Sequence, residues 1–135
     1  MRRELKTHDF GGDGFQISTS IIINGIECNV LIDTGAGRTV LDKTFCKEFG
    51  FDLTPATRKA HSATGSAAMG EALINRVKIN GHILTKKRHW GVMDLSTVSG
   101  YFLSRDNYYI VGIIGGDLLK ELGAEINYKS MELKL

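Results

Sequence analysis

Apolar positions along this chain fall in short runs that alternate with polar residues or stop at glycine. Ile21-Ile22-Ile23 and Ile26 flank Asn24-Gly25, and Val77 and Ile79 lead into Asn80-Gly81-His82. Asn-Gly between apolar runs signals a two-residue β-hairpin, because both residues tolerate positive φ. Further along from each hairpin an apolar strand ends at glycine: Val30-Leu31-Ile32-Asp33-Thr34-Gly35-Ala36 in the first half and Ile113-Ile114-Gly115-Gly116-Asp117-Leu118-Leu119 in the second. A short helix is predicted after each, over 42–49 and 117–122. Each opens on an aspartate that can cap free amides or sit at the positive dipole end, and each is closed by a glycine, Gly50 or Gly123, suited to a left-handed cap. Phe51-Asp52-Leu53 and Ala124-Glu125-Ile126 then resume extended chain. Hairpin, turn, helix and strand are written twice. At the end, Met131-Glu132-Leu133-Lys134-Leu135 alternates as a half-buried strand does; it either closes this chain's own sheet or joins that of a second copy.

Only the first repeat carries a carboxylate where its strand ends. Charged side chains are seldom buried without a partner, and Arg38 is the one cation close to Asp33 in sequence. A group from elsewhere in space is expected to face Asp33. The tripeptide Asp-Thr-Gly alone is weak evidence, since Asp and Gly are common in ordinary turns. Its weight comes from the apolar run before it and the Ile-Ile-Gly segment of the second repeat.

Taken together, these segments resemble the retropepsin-like aspartic proteases, single-domain relatives of pepsin that work as homodimers. Leu31-Ile32-Asp33-Thr34-Gly35-Ala36 is similar to their catalytic motif, and Ile113-Ile114-Gly115 to the apolar-apolar-glycine motif that supports the active-site loop. Met93-Asp94-Leu95-Ser96 is similar to the bacterial branch. The resemblance covers about residues 16–135, leaving 1–15 as an N-terminal arm. It implies an all-β, closed acid-protease barrel with one or two short helices and a pseudo-two-fold internal repeat. It implies Asp33, Thr34 and Gly35 as catalytic residues, Ile113, Ile114 and Gly115 as their support, and Ala36 and Met93 among the substrate contacts. It also implies that residues 58–71 form a flap whose tip, Thr64-Gly65-Ser66, lies against substrate.

The chemistry accounts for these residue types independently. Hydrolysing an amide without a metal or covalent nucleophile takes one group to accept a proton from water and another to give one to the carbonyl oxygen. Two carboxylates about 3 Å apart resist ionising together and share one proton, so the pair does both. With one Asp-Thr-Gly per chain, a two-fold axis must supply the second carboxylate, because a residue on the axis meets its own copy. Thr34 is then placed to reach the partner's loop, and Gly35 lets the backbone turn closely. A peptide or protein substrate is expected to lie across the axis as an extended strand with alternate side chains in apolar pockets. Residues 94–109 are long for a connection, and long loops are commonly functional.

Composition limits the alternatives. The 135 residues suffice for one domain with a core and fall short of a two-lobed single-chain protease. Sixteen glycines and one proline suit tight turns in a β domain. The net charge of +2 and the Lys86-Lys87-Arg88 cluster fit a solvated strand end, and no nucleic-acid partner is expected. Cys28 and Cys46 have no Cys-x-x-Cys spacing and read as free buried thiols. The four histidines match no metal motif, so neither metal nor cofactor is expected. No apolar run is long enough to span a membrane and the start does not read as a signal peptide, which makes a cytoplasmic location the expectation and a membrane partner unexpected. Ile32-Asp33-Thr34-Gly35-Ala36-Gly37-Arg38-Thr39 also resembles the first phosphate loop of the actin and sugar-kinase fold, but that fold needs two larger domains. A dimeric peptide-binding or regulatory module with Asp33 idle stays open at this level, as does a small β-barrel binding RNA or peptide, though the barrel leaves Ile113-Ile114-Gly115 unexplained.

Overall fold

The computed structural model describes residues 2–62 and 65–135, with side chains described outside 56–69. In chain order the elements are β1 (Arg2–Glu4), β2 (Lys6–Asp9), a 3-10 turn (Gly11–Asp13), β3 (Phe15–Ile23), β4 (Ile26–Ile32), β5 (Val40–Asp42), α1 (Lys43–Glu48), β6 (Leu53–Ser62) and β7 (Gly65–Ile74). There follow β8 (Val77–Ile79), β9 (His82–Leu84), β10 (Arg88–Met93), α2 (Ser96–Asp106), β11 (Ile110–Ile114), α3 (Gly116–Glu121), β12 (Glu125–Asn127) and β13 (Glu132–Lys134). The protein is mostly β with few short helices.

Both Asn-Gly hairpins form. Asn24 and Gly25 have φ of 49° and 83°, Asn80 and Gly81 of 51° and 76°, and each pair joins directly opposed residues, Ile23 with Ile26 and Ile79 with His82. The two asparagines also bind across the fold. Asn24 Oδ1 accepts from the Asn75 amide at 2.8 Å, and Asn80 Nδ2 donates to the Leu133 carbonyl at 2.9 Å. Asp42 caps α1 as expected, accepting from the Phe45 amide, and its second oxygen accepts from the Leu95 amide at 2.9 Å, anchoring the approach to α2.

The main sheet runs β6-β7-β10-β5-β11-β4-β3-β8-β9, with β2 paired to β3. The closed barrel that the resemblance implied is not found: this path is open, ending at β6 and β9, because no ladder among the described residues joins those two strands. A second sheet, β1-β13-β12, takes both ends of the chain. The terminal strand therefore lies between two strands of its own chain, and Leu133 is fully buried. Residues 2–9 likewise belong to the two sheets, with Leu5 and His8 buried.

The core gathers Ile17, Ile21 and Ile23 of β3, Val30 and Ile32 of β4, Leu41, Ile74, Ile79 and Ile114. Ile17, Ile21 and Ile23 share one face of β3 with the buried Thr19, as the two-residue period of a strand requires. Cys28 and Cys46 are free and buried. Burial pushes both thiols from 9.0 up to about 12, with the Glu27 charge adding at Cys28 and Asp42 at Cys46. Iodoacetamide at pH 8 is expected to leave both untouched in the folded chain and to alkylate both in denaturant, as read by intact mass. The stability held in these neutral thiols is present below pH 9 and is lost as pH rises from there towards 12, since the unfolded chain gives up its protons first.

Candidate active site

Strands β4 and β11 run parallel, with Val30, Leu31 and Ile32 opposite Gly112, Ile113 and Ile114. The chain leaves β4 at Asp33, passes over the end of β11 and returns as β5 on the far side, where Leu41 and Val40 oppose Gly112 and Ile113. This crossing explains two glycines. A Cβ on Gly112 would stand 2.8 Å from Leu41 Cδ2 and 2.9 Å from the Val40 carbonyl oxygen. One on Gly115 would stand 2.6 Å from the Ala36 oxygen and 2.7 Å from the Arg38 carbonyl carbon. No side chain fits where the loop lies on the strand.

Backbone and side chain then fix the loop. The Asp33 amide donates to the Ile114 carbonyl at 3.0 Å, and the Gly116 amide donates to the Ala36 carbonyl at 2.7 Å. The buried Thr39 hydroxyl accepts from the Gly115 amide at 3.1 Å and donates to Asp117 Oδ1 at 2.8 Å. The same carboxylate oxygen accepts from the Thr39 and Leu118 amides, at 2.9 and 2.8 Å. Asp117 is therefore not the cap of its helix, which Gly115 precedes; it ties α3 to the loop of the first repeat. Asp117→Ala is expected to cost about 2 kcal/mol, by leaving the Thr39 donors without their acceptor, and Asp117→Asn less. Denaturant unfolding at fixed protein concentration measures the difference.

Held this way, the Asp33 side chain projects into solvent with Oδ1 accepting from the Gly35 amide at 2.9 Å. Thr34 and Gly35 are exposed beside it and Ala36 is half-buried. Arg38, the nearby cation in sequence, is paired instead with Glu71 of β7, and also reaches the His89 carbonyl. Ion pairs among the described residues do not include Asp33.

A cleft of about 390 Å³ opens beside Asp33, walled by Phe10, Leu31, Val98, Tyr101, Phe102 and Ile113. The structure thus brings Ile113 to the mouth of the site, with Ile114 and Gly115 buried directly behind. Met93 lies elsewhere: it packs on the cluster of Val40 and Leu95 and lines a different cleft, of about 440 Å³, with Leu53, Pro55 and Glu71. Thr64 lies outside the described residues; Gly65 and Ser66 open β7, paired with Ser62 and His61. Among the described residues no cluster of His, Cys, Asp and Glu could hold a metal ion, and no helix is long and apolar enough to cross a membrane.

Sequence reasoning missed Phe10, Val98, Tyr101 and Phe102. The connection at 94–109 is largely helix α2, started by Asp94, whose carboxyl Ser96 holds below the usual range through hydrogen bonds from its side chain and amide. Leu95, Val98 and Phe102 stand at helical spacing, with Leu95 and Phe102 buried, and were the available signal.

An exposed aspartate at the end of paired parallel strands, crossed by its own loop, fits the retropepsin-like aspartyl protease class. The Aspartyl protease family matches residues 19–118, and this chain belongs to that family. Solved structures with the same fold include the EIAV protease complexed with the inhibitor HBY-793, at TM-score 0.62 and 23% identity, covering 83% of this chain and 92% of that one. A retropepsin-like aspartic protease from Rickettsia conorii aligns at TM-score 0.60 and 24% identity, over 97% of this chain and 93% of that one. The retroviral protease-like domain of Ddi1 from Leishmania major aligns at TM-score 0.58 and 16% identity, over 89% and 87%. Among curated proteins, none matches the chain.

Proposed function

We propose that the chain is an aspartic endopeptidase that acts as a homodimer. The observation that carries this reading is Asp33 itself, exposed at a rigidly braced strand end, oriented by the Gly35 amide and without an ion-pair partner among the described residues. A two-fold axis beside Thr34 and Gly35 would bring the Asp33 of each protomer to its copy, with the Thr34 hydroxyls reaching across. The hairpin-helix layout occurring twice in one chain supports a pseudo-two-fold relation between its halves, and the β6-β7 hairpin takes the place of the flap.

In the reaction, the ionised carboxylate takes a proton from water as its oxygen attacks the scissile carbonyl carbon, while the protonated one gives its proton to the carbonyl oxygen. The C–N bond then breaks as the amine nitrogen takes the proton gained from water and the carbonyl re-forms, with its oxygen returning the other proton to the dyad. A peptide lies extended through the site and places a large apolar side chain in the Phe10–Tyr101 cleft. Activity requires one carboxylate charged and one protonated, so the rate falls at both acidic and alkaline extremes.

Incubating the chain with a complex peptide library from acidic to neutral pH, with new termini read by mass spectrometry and association by sedimentation, tests the reading. A dimer producing internal cleavages with an apolar preference is expected. Intact peptides alongside a stable dimer would move the assignment to a binding module.

A further inference from the structure

His8, outside the Asp33 loop, is the least exposed titratable side chain of the N-terminal segment, at 1%. Its Nδ1 stands 2.5 Å from Asp106 Oδ2 at the end of α2, and its Nε2 stands 2.8 Å from Ser18 Oγ in β3. Ser18 Oγ donates onward to the Tyr108 hydroxyl at 3.3 Å. Serine, histidine and carboxylate stand in the order of a hydrolase triad, but Ser18 is 0% exposed and no scissile carbonyl can reach it. The network holds elements together.

What it joins matters for the cleft. The His8 ring meets Phe102 edge-on at 5.0 Å and Tyr108 at 4.8 Å, and Phe10 meets Tyr101 at 5.0 Å. Arg105 donates to Asp13 at 2.7 Å and lies over the Tyr101 ring. Phe10, Asp13 and Gln16 from one side of this seam, and Val98, Tyr101 and Phe102 from the other, line the same cleft as Asp33.

We propose that residues 8–16 and α2 form a single clamped wall of the substrate cleft, in which the Ser18–His8–Asp106 network is the positioning group that sets the cleft's preference for a large apolar side chain. The inference rests on the peptide-binding reading of Asp33 and extends it to specificity. Buried hydrogen-bond networks are stiff when every member is satisfied and loosen when one is removed. Small displacements of a wall then blunt discrimination between large and small side chains.

The test uses the full chain and two non-cleavable peptides with a reduced scissile bond, differing only in Phe or Ala beside it, with affinities measured by calorimetry. Asp106→Ala and His8→Phe are expected to reduce the preference for Phe over Ala about tenfold. Asp106→Asn, whose amide oxygen still accepts from Nδ1–H, is expected to restore it. An unchanged ratio, or equal weakening for both peptides, overturns the clamp, as does a wild-type chain that binds neither. If His8→Phe does not fold, Asp106→Ala decides, since that side chain is 36% exposed. Cleavage of the parent amide peptides is measured in parallel: binding with the expected ratios but no cleavage sinks the peptidase reading and leaves the clamp standing.

Discussion

Asp33→Asn is expected to reduce peptide turnover at least about 10³-fold while leaving the fold intact. The asparagine oxygen still accepts the hydrogen bond that the Gly35 amide now gives to Oδ1 at 2.9 Å, so the loop keeps its shape. The side chain is exposed and enters no ion pair among the described residues, which places the stability change within about 0.5 kcal/mol, as for most surface substitutions. What disappears is the carboxylate that takes a proton from water. Turnover on a peptide found in the library screen, together with thermal unfolding at the same chain concentration, separates loss of chemistry from loss of structure. Retained turnover would place the chemistry elsewhere.

Gly115→Ala is expected to be the most damaging added methyl group among the described glycines, costing about 3 kcal/mol or more and abolishing activity with it. Gly115 has ordinary backbone dihedrals, with φ −98°, so the cost comes from space and not from conformation. The added Cβ would stand 2.6 Å from the Ala36 oxygen and 2.8 Å from the Arg38 oxygen, both backbone atoms of the loop that carries Asp33. Either the loop or β11 must move. Gly116→Ala is the control: its Cβ would meet the Ala36 oxygen at an ordinary 3.6 Å, and alanine favours the first turn of α3. Denaturant unfolding of both variants is expected to show a large loss for the first and little change or a gain for the second.

What could be read from the sequence was what local chemistry specifies. Asn24-Gly25 and Asn80-Gly81 demanded positive φ and formed hairpins; Asp42 and Gly50 bounded a helix; Asp33 stands exposed where its apolar strand ends. Readings failed where a partner distant in the chain decided the outcome. Asp117 sits in the first turn of α3 and accepts from the Leu118 amide, as its local setting suggests, but its bonds to Thr39, 78 residues away, carry no local signal. The segment 94–109 reads as a loop because Gly100 and three serines weaken its helical pattern, while Phe102 finds its packing against His8 and Phe10 from the other end of the chain. Residues 2–4 are too few to signal a strand alone, and become one beside β13. The barrel expected from the resemblance depends on ladders between distant strands, which no local pattern specifies.

The central claim, that catalysis takes the Asp33 of both protomers, is tested most directly by co-refolding wild-type chain with Asp33→Asn in varied proportions, at a fixed total concentration well above that at which the dimer dissociates. If each active site needs both carboxylates, only wild-type pairs work, and activity follows the square of the wild-type fraction, so an equal mixture retains about a quarter. Activity proportional to the wild-type fraction itself, about half in the equal mixture, would show that one Asp33 suffices and would contradict the account.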